Sequence, residues 1–302
     1  MTAVVALGGN ALMRPGERGT AAEQRANLRE ACAALRPLLD EAELVVTHGN
    51  GPQVGNELLR HERAADEAPP LPLYLAVAQT QAEIGALLAS ELEPVAGRLV
   101  ACLLTRVLVA EDDPAFEEPT KPVGPFYEEG RAHQLEQERG WTVVHDSGRG
   151  WRRVVPSPAP LEIVELEAVR ALLRAGAIAV ACGGGGIPVA RRGQYLAGLD
   201  AVIDKDRASA LLARELGADR LVILTEVPAV YRGFGTGQQE ELRRLSLGEA
   251  EALVPELAAG SIGPKVEACV DYVRATGHDA LITSPAVLAE ALEGHAGTRI
   301  RK

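Results

Sequence analysis

Lysine is the scarce cation of this chain. Of 31 basic residues only Lys121, Lys205, Lys265 and the last residue, Lys302, are lysine; arginine supplies the rest. Where arginine serves almost every cationic position, the three internal lysines are candidates for sites that need a compact, rotatable ammonium rather than a planar guanidinium. The alternative is stray lysines left by an arginine-biased composition. Lys205 stands in Val202-Ile203-Asp204-Lys205-Asp206, ahead of a helix expected from about Ala208. Asp206 would then sit at or near its N-cap. Lys265 opens a helix after Gly260-Ser261-Ile262-Gly263-Pro264, where a cation opposes the helix dipole unless an anion lies nearby. Lys121 lies in Pro119-Thr120-Lys121-Pro122-Val123-Gly124-Pro125-Phe126, a backbone stiffened by proline. The bland readings are a capping aspartate with a solvated ion pair at Lys205 and an ordinary loop lysine at Lys121.

Three apolar runs end in glycine: at Gly8-Gly9-Asn10, at Gly49-Asn50-Gly51, and at residues 183–186. In open α/β sheets, ligands bind beyond the carboxyl ends of the strands. Glycine there lets backbone N–H groups approach an anion, and a following helix adds its positive end. Phosphoryl transfer between two anions needs this equipment, because its barrier is chiefly electrostatic and positional. A carboxylate-type acceptor is already ionised and needs no general base. Correspondingly, His48, His61, His133, His145, His278 and His295 show no metal-ligand spacing. His48 adjoins a glycine loop and reads as structural.

Glycine turns also serve purely steric ends, and Gly49-Asn50-Gly51-Pro52-Gln53-Val54-Gly55 resembles a loosened dinucleotide fingerprint. Against that reading, no acidic residue ends a second strand at the expected spacing. Asp66 and Glu67 come nearest, in a polar, proline-flanked stretch. Nor does Gly-x-x-x-x-Gly-Lys-Ser/Thr occur anywhere, so ATP would have to bind without a Walker A loop.

The elements that must position these residues alternate. Residues 3–7 and 44–47 read as buried strands, and 20–40 as a helix opened by the capping box Thr20-x-x-Glu23. Residues 73–92 carry helical periodicity and 99–105 read as a strand. From about 112 to 160, prolines, glycines, charges and both tryptophans replace sustained periodicity, which predicts a lid-like insertion outside the main sheet. Alternation then resumes: helix 161–174, strand 178–181, helix 208–216, strand 221–224, helix 265–276, strand 280–283 and helix 285–292. This order predicts an α/β fold with a largely parallel sheet covered on both faces.

Composition narrows the classes further. The 302 residues are 47% hydrophobic but only 3% aromatic, so the core must be built from Val, Leu, Ile and Ala. A net charge of −11 without a basic block argues against a nucleic-acid partner. The opening apolar run is far shorter than a signal peptide's apolar region or a membrane span. Cys32, Cys102, Cys182 and Cys269 are scattered and lack any Cys-x-x-Cys pair, which suits reduced, packed thiols. A cytoplasmic address is the expectation.

Taken together, several segments resemble the signatures of the carbamate kinases, within the amino-acid kinase family. They are Val4-Val5-Ala6-Leu7-Gly8-Gly9-Asn10-Ala11, His48-Gly49-Asn50-Gly51-Pro52-Gln53-Val54-Gly55, residues 119–126, 148–158 and 182–188, residues 201–208, and Pro264-Lys265. The match runs in order along essentially the whole chain, and the 119–126 and 148–158 segments are specific to carbamate kinases within the wider family. The resemblance implies a three-layer α/β/α open sandwich around about eight mostly parallel strands, with a small protruding subdomain, and usually a homodimer. It implies one domain over 1–302, with a carbamate- and phosphoryl-binding lobe at 1–215 and a nucleotide-binding lobe at 216–302.

The implied reaction is ATP plus carbamate giving ADP and carbamoyl phosphate, reversibly and with Mg²⁺. By motif, Gly8, Gly9, Asn10, Gly49, Asn50 and Gly51 would hold the carbamate and the migrating phosphoryl. Lys121 would reach in from the subdomain, Lys205 and Lys265 would neutralise the ATP phosphates, and Asp206 would orient the lysines. Thr225 and Tyr231 would hold the nucleotide; no residue is expected to ligate a metal by itself. Residues 225–237 depart from the pattern, with Glu226 where many relatives carry Gly or Asp. Other readings are a different small-acid kinase of the same fold, a catalytically silent nucleotide sensor, and a nicotinamide-dependent oxidoreductase.

Overall fold

The first strand shows how the layers arise. In the computed structural model, which describes residues 1–14, 16–40, 42–146, 150–257 and 262–302, Thr2–Leu7 is buried on both sides. Ala3, Val5 and Leu7 enter one apolar cluster, while Val4 and Ala6 enter another. A strand has a side-chain period of two, so an unbroken apolar run means a sheet covered twice. Leu28, Ile84 and Leu88 from the helices Ala21–Ala34 and Leu73–Ala96 complete the first cluster. Val169, Leu212 and Val266 from Leu166–Arg174, Lys205–Leu216 and Gly263–Thr276 complete the second.

Eight strands lie between these layers. Their order is Arg244–Ser246, Thr298–Arg301, Ala280–Thr283, Arg220–Leu224, Thr2–Leu7, Glu43–His48, Ile178–Val180 and Val100–Cys102. All neighbours are parallel except Ala280–Thr283 with Thr298–Arg301. The expected three-layer architecture is therefore present. The capping box at Thr20 and Glu23 is formed as well, and the four cysteines are free, three of them buried.

Two smaller sheets depart from the sequence reading. Residues 99–105 do not form one strand. Val100–Cys102 belongs to the main sheet, whereas Arg106–Leu108 pairs with Ile187–Arg192 and Glu162–Ile163 in a four-stranded sheet. Between them Thr105 is fully buried and hydrogen-bonded to the Gln81 side chain, so the chain changes sheets at a point that apolar patterning does not mark. Likewise residues 161–174 hold the short strand Glu162–Ile163 before the helix Leu166–Arg174.

The 112–160 stretch contributes no described strand to the main sheet but is more regular than its composition suggests. Lys121–Tyr127, Gly150–Val155 and Thr142–Asp146 form an antiparallel sheet, with the helix Glu129–Arg139 on it. Aromatic and arginine stacking does much of the packing here: Arg153 lies 4.6 Å over Trp141, and His133 meets Trp151 edge-on at 4.7 Å. Such contacts have no helical or strand period. Val123 and Val155 join Val54, Val77 and Ile187 in a third apolar cluster. Gly55 lets the Gly51–Arg63 helix touch this sheet, since a Cβ there would lie 3.1 Å from the Gly124 Cα.

Candidate active site

Parallel pairing puts the carboxyl ends of Thr2–Leu7, Glu43–His48 and Ile178–Val180 side by side, so the three glycine loops share one edge. A Cβ on Gly49 would stand 3.3 Å from the Lys205 Cδ and 3.8 Å from the Gly9 nitrogen. The first two loops therefore meet over the stem of Lys205. The third loop has a different part. Gly183 packs against the His48 ring and Gly184 against the Asn50 amide, where a Cβ would come within 2.4 and 2.1 Å of side-chain atoms. Residues 183–186 are all buried; they back up the second loop.

Asp204, not Asp206, caps the Lys205–Leu216 helix, which starts three residues before the expected Ala208. The Asp204 carboxylate accepts from the N–H groups of Asp206 and Arg207 at 2.9 and 3.3 Å. Asp206 is thereby released from capping. It is 2% exposed, pairs with its neighbour Lys205 through Oδ1, and accepts from Lys265 Nζ at 3.2 Å through Oδ2. A buried carboxylate bridging two ammoniums replaces the solvated pair of the bland reading, and fixes both cations in place. Lys265 occupies the first turn of Gly263–Thr276, behind Pro264, where no described side chain caps the helix.

Lys121 reaches the same cluster from the small sheet. Its Nζ lies 2.6 Å from Asp204 Oδ2. Burial by itself would raise the Asp204 carboxyl, but the adjacent Lys121, then Lys205 and the Asp206 N–H, hold it well below the usual carboxylate range. All three candidate lysines are thus tied to Asp204 and Asp206 at one helix N-terminus. His48 stands beside them without taking part. Burial pushes its imidazole down to about 4, with Lys205's charge acting the same way, so it is neutral near pH 7; its Nδ1 faces the Gly49 carbonyl at 2.9 Å.

Beyond this cluster opens a cleft of about 1150 Å³, lined by Gly8, Gly9, Thr225, Tyr231, Phe234 and Lys265 among others. It joins the glycine edge to the C-terminal part of the chain. The rings of Tyr231 and Phe234 lie 5.8 Å apart at 47°, and Glu226 lines the cleft too.

A family model described as the amino acid kinase family matches residues 1–284. A carbamate kinase of Halobacterium salinarum is 46% identical over 300 residues, covering 98% of this chain and 97% of that protein. The chain belongs to the amino acid kinase family, among its carbamate kinases. Another carbamate kinase, of Haemophilus influenzae, is 44% identical over all of this chain and 97% of its own. The structure of a Giardia lamblia carbamate kinase bound to AMP-PNP superposes with a TM-score of 0.93 at 39% identity, covering 100% of this chain and 98% of that one.

Within this kinase the sequence reading placed Lys121, Lys205, Lys265, Asp206 and the glycines of the first two loops, and the fold gathers them. Thr225 and Tyr231 line the cleft, the Thr225 Cα standing 3.7 Å from where a Cβ on Gly8 would be. Asn50 turns its amide onto Thr80 at 2.9 Å rather than into the cleft. The Asn10 side chain, Gly148-Arg149 of the 148–158 motif and Gly260-Ser261 before Lys265 lie outside the described residues. Three residues at or behind the site carry no role in the sequence reading. Asp204 was legible as an Asp two residues before Asp206 at a helix start. Phe234 was one aromatic in a glycine-rich loop. Gln81 carried no signal at all.

Proposed function

We propose that this kinase catalyses ATP + carbamate = ADP + carbamoyl phosphate. The observation that carries the reading is Asp206, buried between Lys205 and Lys265 where the Gly9 and Gly49 backbones meet over the Lys205 stem. An edge so lined by amide and ammonium groups suits two small anions. The carbamate kinase relatives support the same acceptor.

In this reading the backbones of Gly8, Gly9, Asn10, Gly49, Asn50 and Gly51 hold carbamate and the migrating phosphoryl. A carbamate oxygen attacks the γ-phosphorus, and the bond to the β–γ bridging oxygen breaks with its electron pair left on ADP. No proton needs to move, which accords with a neutral, packed His48. Lys205 and Lys265 balance charge on the phosphates, Asp206 keeps their ammoniums aimed, and Lys121 approaches from the lid-like 112–160 region. Thr225 and Tyr231 lie along the nucleotide, so residues 1–215 serve the acceptor and 216–302 the nucleotide. Mg²⁺ would neutralise phosphate oxygens when bound. Among the described residues no three His, Cys, Asp or Glu side chains gather as ligands, and Asp206 is engaged by lysines. The ion therefore fits as part of the nucleotide complex rather than in a cage of its own.

The proposed physiological direction is ATP synthesis from carbamoyl phosphate in arginine catabolism, by a cytoplasmic homodimer; no described helix is long and apolar enough to cross a membrane. The test is ATP formation from ADP, Mg²⁺ and carbamoyl phosphate, with Lys205→Ala beside the wild type. Turnover that falls about 100- to 1,000-fold in the variant is the expected result. Wild-type protein that binds ADP but forms no ATP would sink the carbamate reading in favour of another small acid or a silent sensor.

A further inference from the structure

Two neighbours on the long Leu73–Ala96 helix, Thr80 and Gln81, touch the backs of two glycine loops. Both are buried, at 0 and 1% exposure. The Thr80 hydroxyl donates to the helix carbonyls of Ala76 and Val77 at 3.0 and 2.9 Å. Its proton is thus spent, and toward Asn50 Nδ2, 2.9 Å away, it can only accept. The orientation of the Asn50 amide follows, and with it that of the residue between Gly49 and Gly51.

Gln81 is held with equal definition. Its Oε1 accepts from the Thr105 N–H at 2.9 Å, and its Nε2 donates to the carbonyls of Thr105 and Gly183 at 3.2 and 2.9 Å. Thr105 in turn accepts the Cys182 N–H on its Oγ1 at 3.0 Å. Cys182 has φ of +51°, the one described non-glycine residue with positive φ, a conformation that costs energy unless its surroundings impose it. The strained turn sets the path of Gly183 and Gly184, which press on His48 and Asn50. Thr80 therefore grips the second loop directly, and Gln81 grips the loop that braces it.

We propose that Thr80 and Gln81 are positioning residues for the acceptor: they touch no reacting atom but set the aim of the Gly49-Asn50-Gly51 amides. The assignment rests on the carbamate kinase reading above. Neither residue lines the cleft toward Tyr231, so the effect should fall on one substrate only. Thr80→Val keeps the shape, removes the acceptor and leaves the Asn50 N–H buried without a partner. A displacement of about an ångström at a reacting group costs roughly 100-fold.

The experiment is steady-state ATP synthesis by wild type, Thr80→Val, Thr80→Ser and Gln81→Asn, with the thermal midpoint of each. The expected result is kcat/KM for carbamoyl phosphate lowered about 10- to 100-fold in Thr80→Val and Gln81→Asn, KM for ADP within about twofold of wild type, and recovery in Thr80→Ser. A folded Thr80→Val or Gln81→Asn whose kcat/KM for carbamoyl phosphate stays near wild type, or whose two KM values rise together, overturns the proposal, whatever its thermal midpoint. Should Thr80→Val not fold, the same split is read from Gln81→Asn. An inactive wild type would instead refute the underlying reaction, so the two failures are distinguishable.

Discussion

Asp206 and Asp204 are two residues apart and both pair with lysine, yet they belong to different kinds of site. Asp206 is enclosed, and its partners Lys205 and Lys265 come from neighbouring helices of one layer, each with a side chain 13% exposed. Asp204 holds Lys121, a side chain 33% exposed that arrives from a separate small sheet. The first arrangement is rigid because one enclosed carboxylate holds both ammoniums, and removing it strands them together. The second joins the small antiparallel sheet to the helix start through a less enclosed contact, with Asp204 17% and Lys121 33% exposed. The enclosed charges thus come from the helices on the main sheet, and the more exposed one comes from the small antiparallel sheet.

Substitutions can break that contrast. Asp206→Asn should have the largest effect, leaving two ammoniums together without their counter-charge. Urea unfolding should show a loss of about 3–5 kcal/mol, with ATP synthesis abolished. Lys121→Ala should separate stability from activity. Stability is expected to fall by less than in Asp206→Asn while kcat falls about 100-fold. Equal stability losses in the two variants would erase the distinction.

Acid titration gives the smallest and most selective effect. His48 has a folded-state pKa of about 4 against an ordinary 6.5. The unfolded chain therefore binds an extra proton between those values, and stability falls as pH drops from 6.5 toward 4. The Asp204 carboxyl is depressed below its ordinary 3.8, so its contribution is present above that pH and is lost only at lower pH. Unfolding free energies measured from pH 7 to about 2 should lose the upper part of this slope in His48→Gln and the part below 3.8 in Asp204→Asn. An unchanged upper slope in His48→Gln would mean that the buried imidazole is not its source.

Much of this was written in local pattern. The apolar run 3–7, the Thr20 capping box and the rarity of lysine each depend on a few adjacent residues or on composition, and each led to the element or side chain found. Strand-to-helix alternation was likewise enough for a largely parallel sheet covered on both faces, whereas the open three-layer sandwich followed from the family resemblance. The small sheet within 112–160 was not legible, since stacking of Arg153 on Trp141 leaves no period. Nor was the break at Thr105, whose partner Gln81 is 24 residues away.

The sequence by itself marked candidates for the chemistry: three scarce lysines and three glycine turns by type and spacing, and Asp206 through the family resemblance. Only the tertiary structure decided how they act together. Whether Asp206 caps a helix or bridges two lysines depends on Asp204 taking the cap and on Lys265 arriving from 59 residues away. Whether a glycine loop meets substrate or braces another loop depends on which side chains press against it. Both are matters of distance in space between residues far apart in the chain, and burial then sets how strongly each charge is felt.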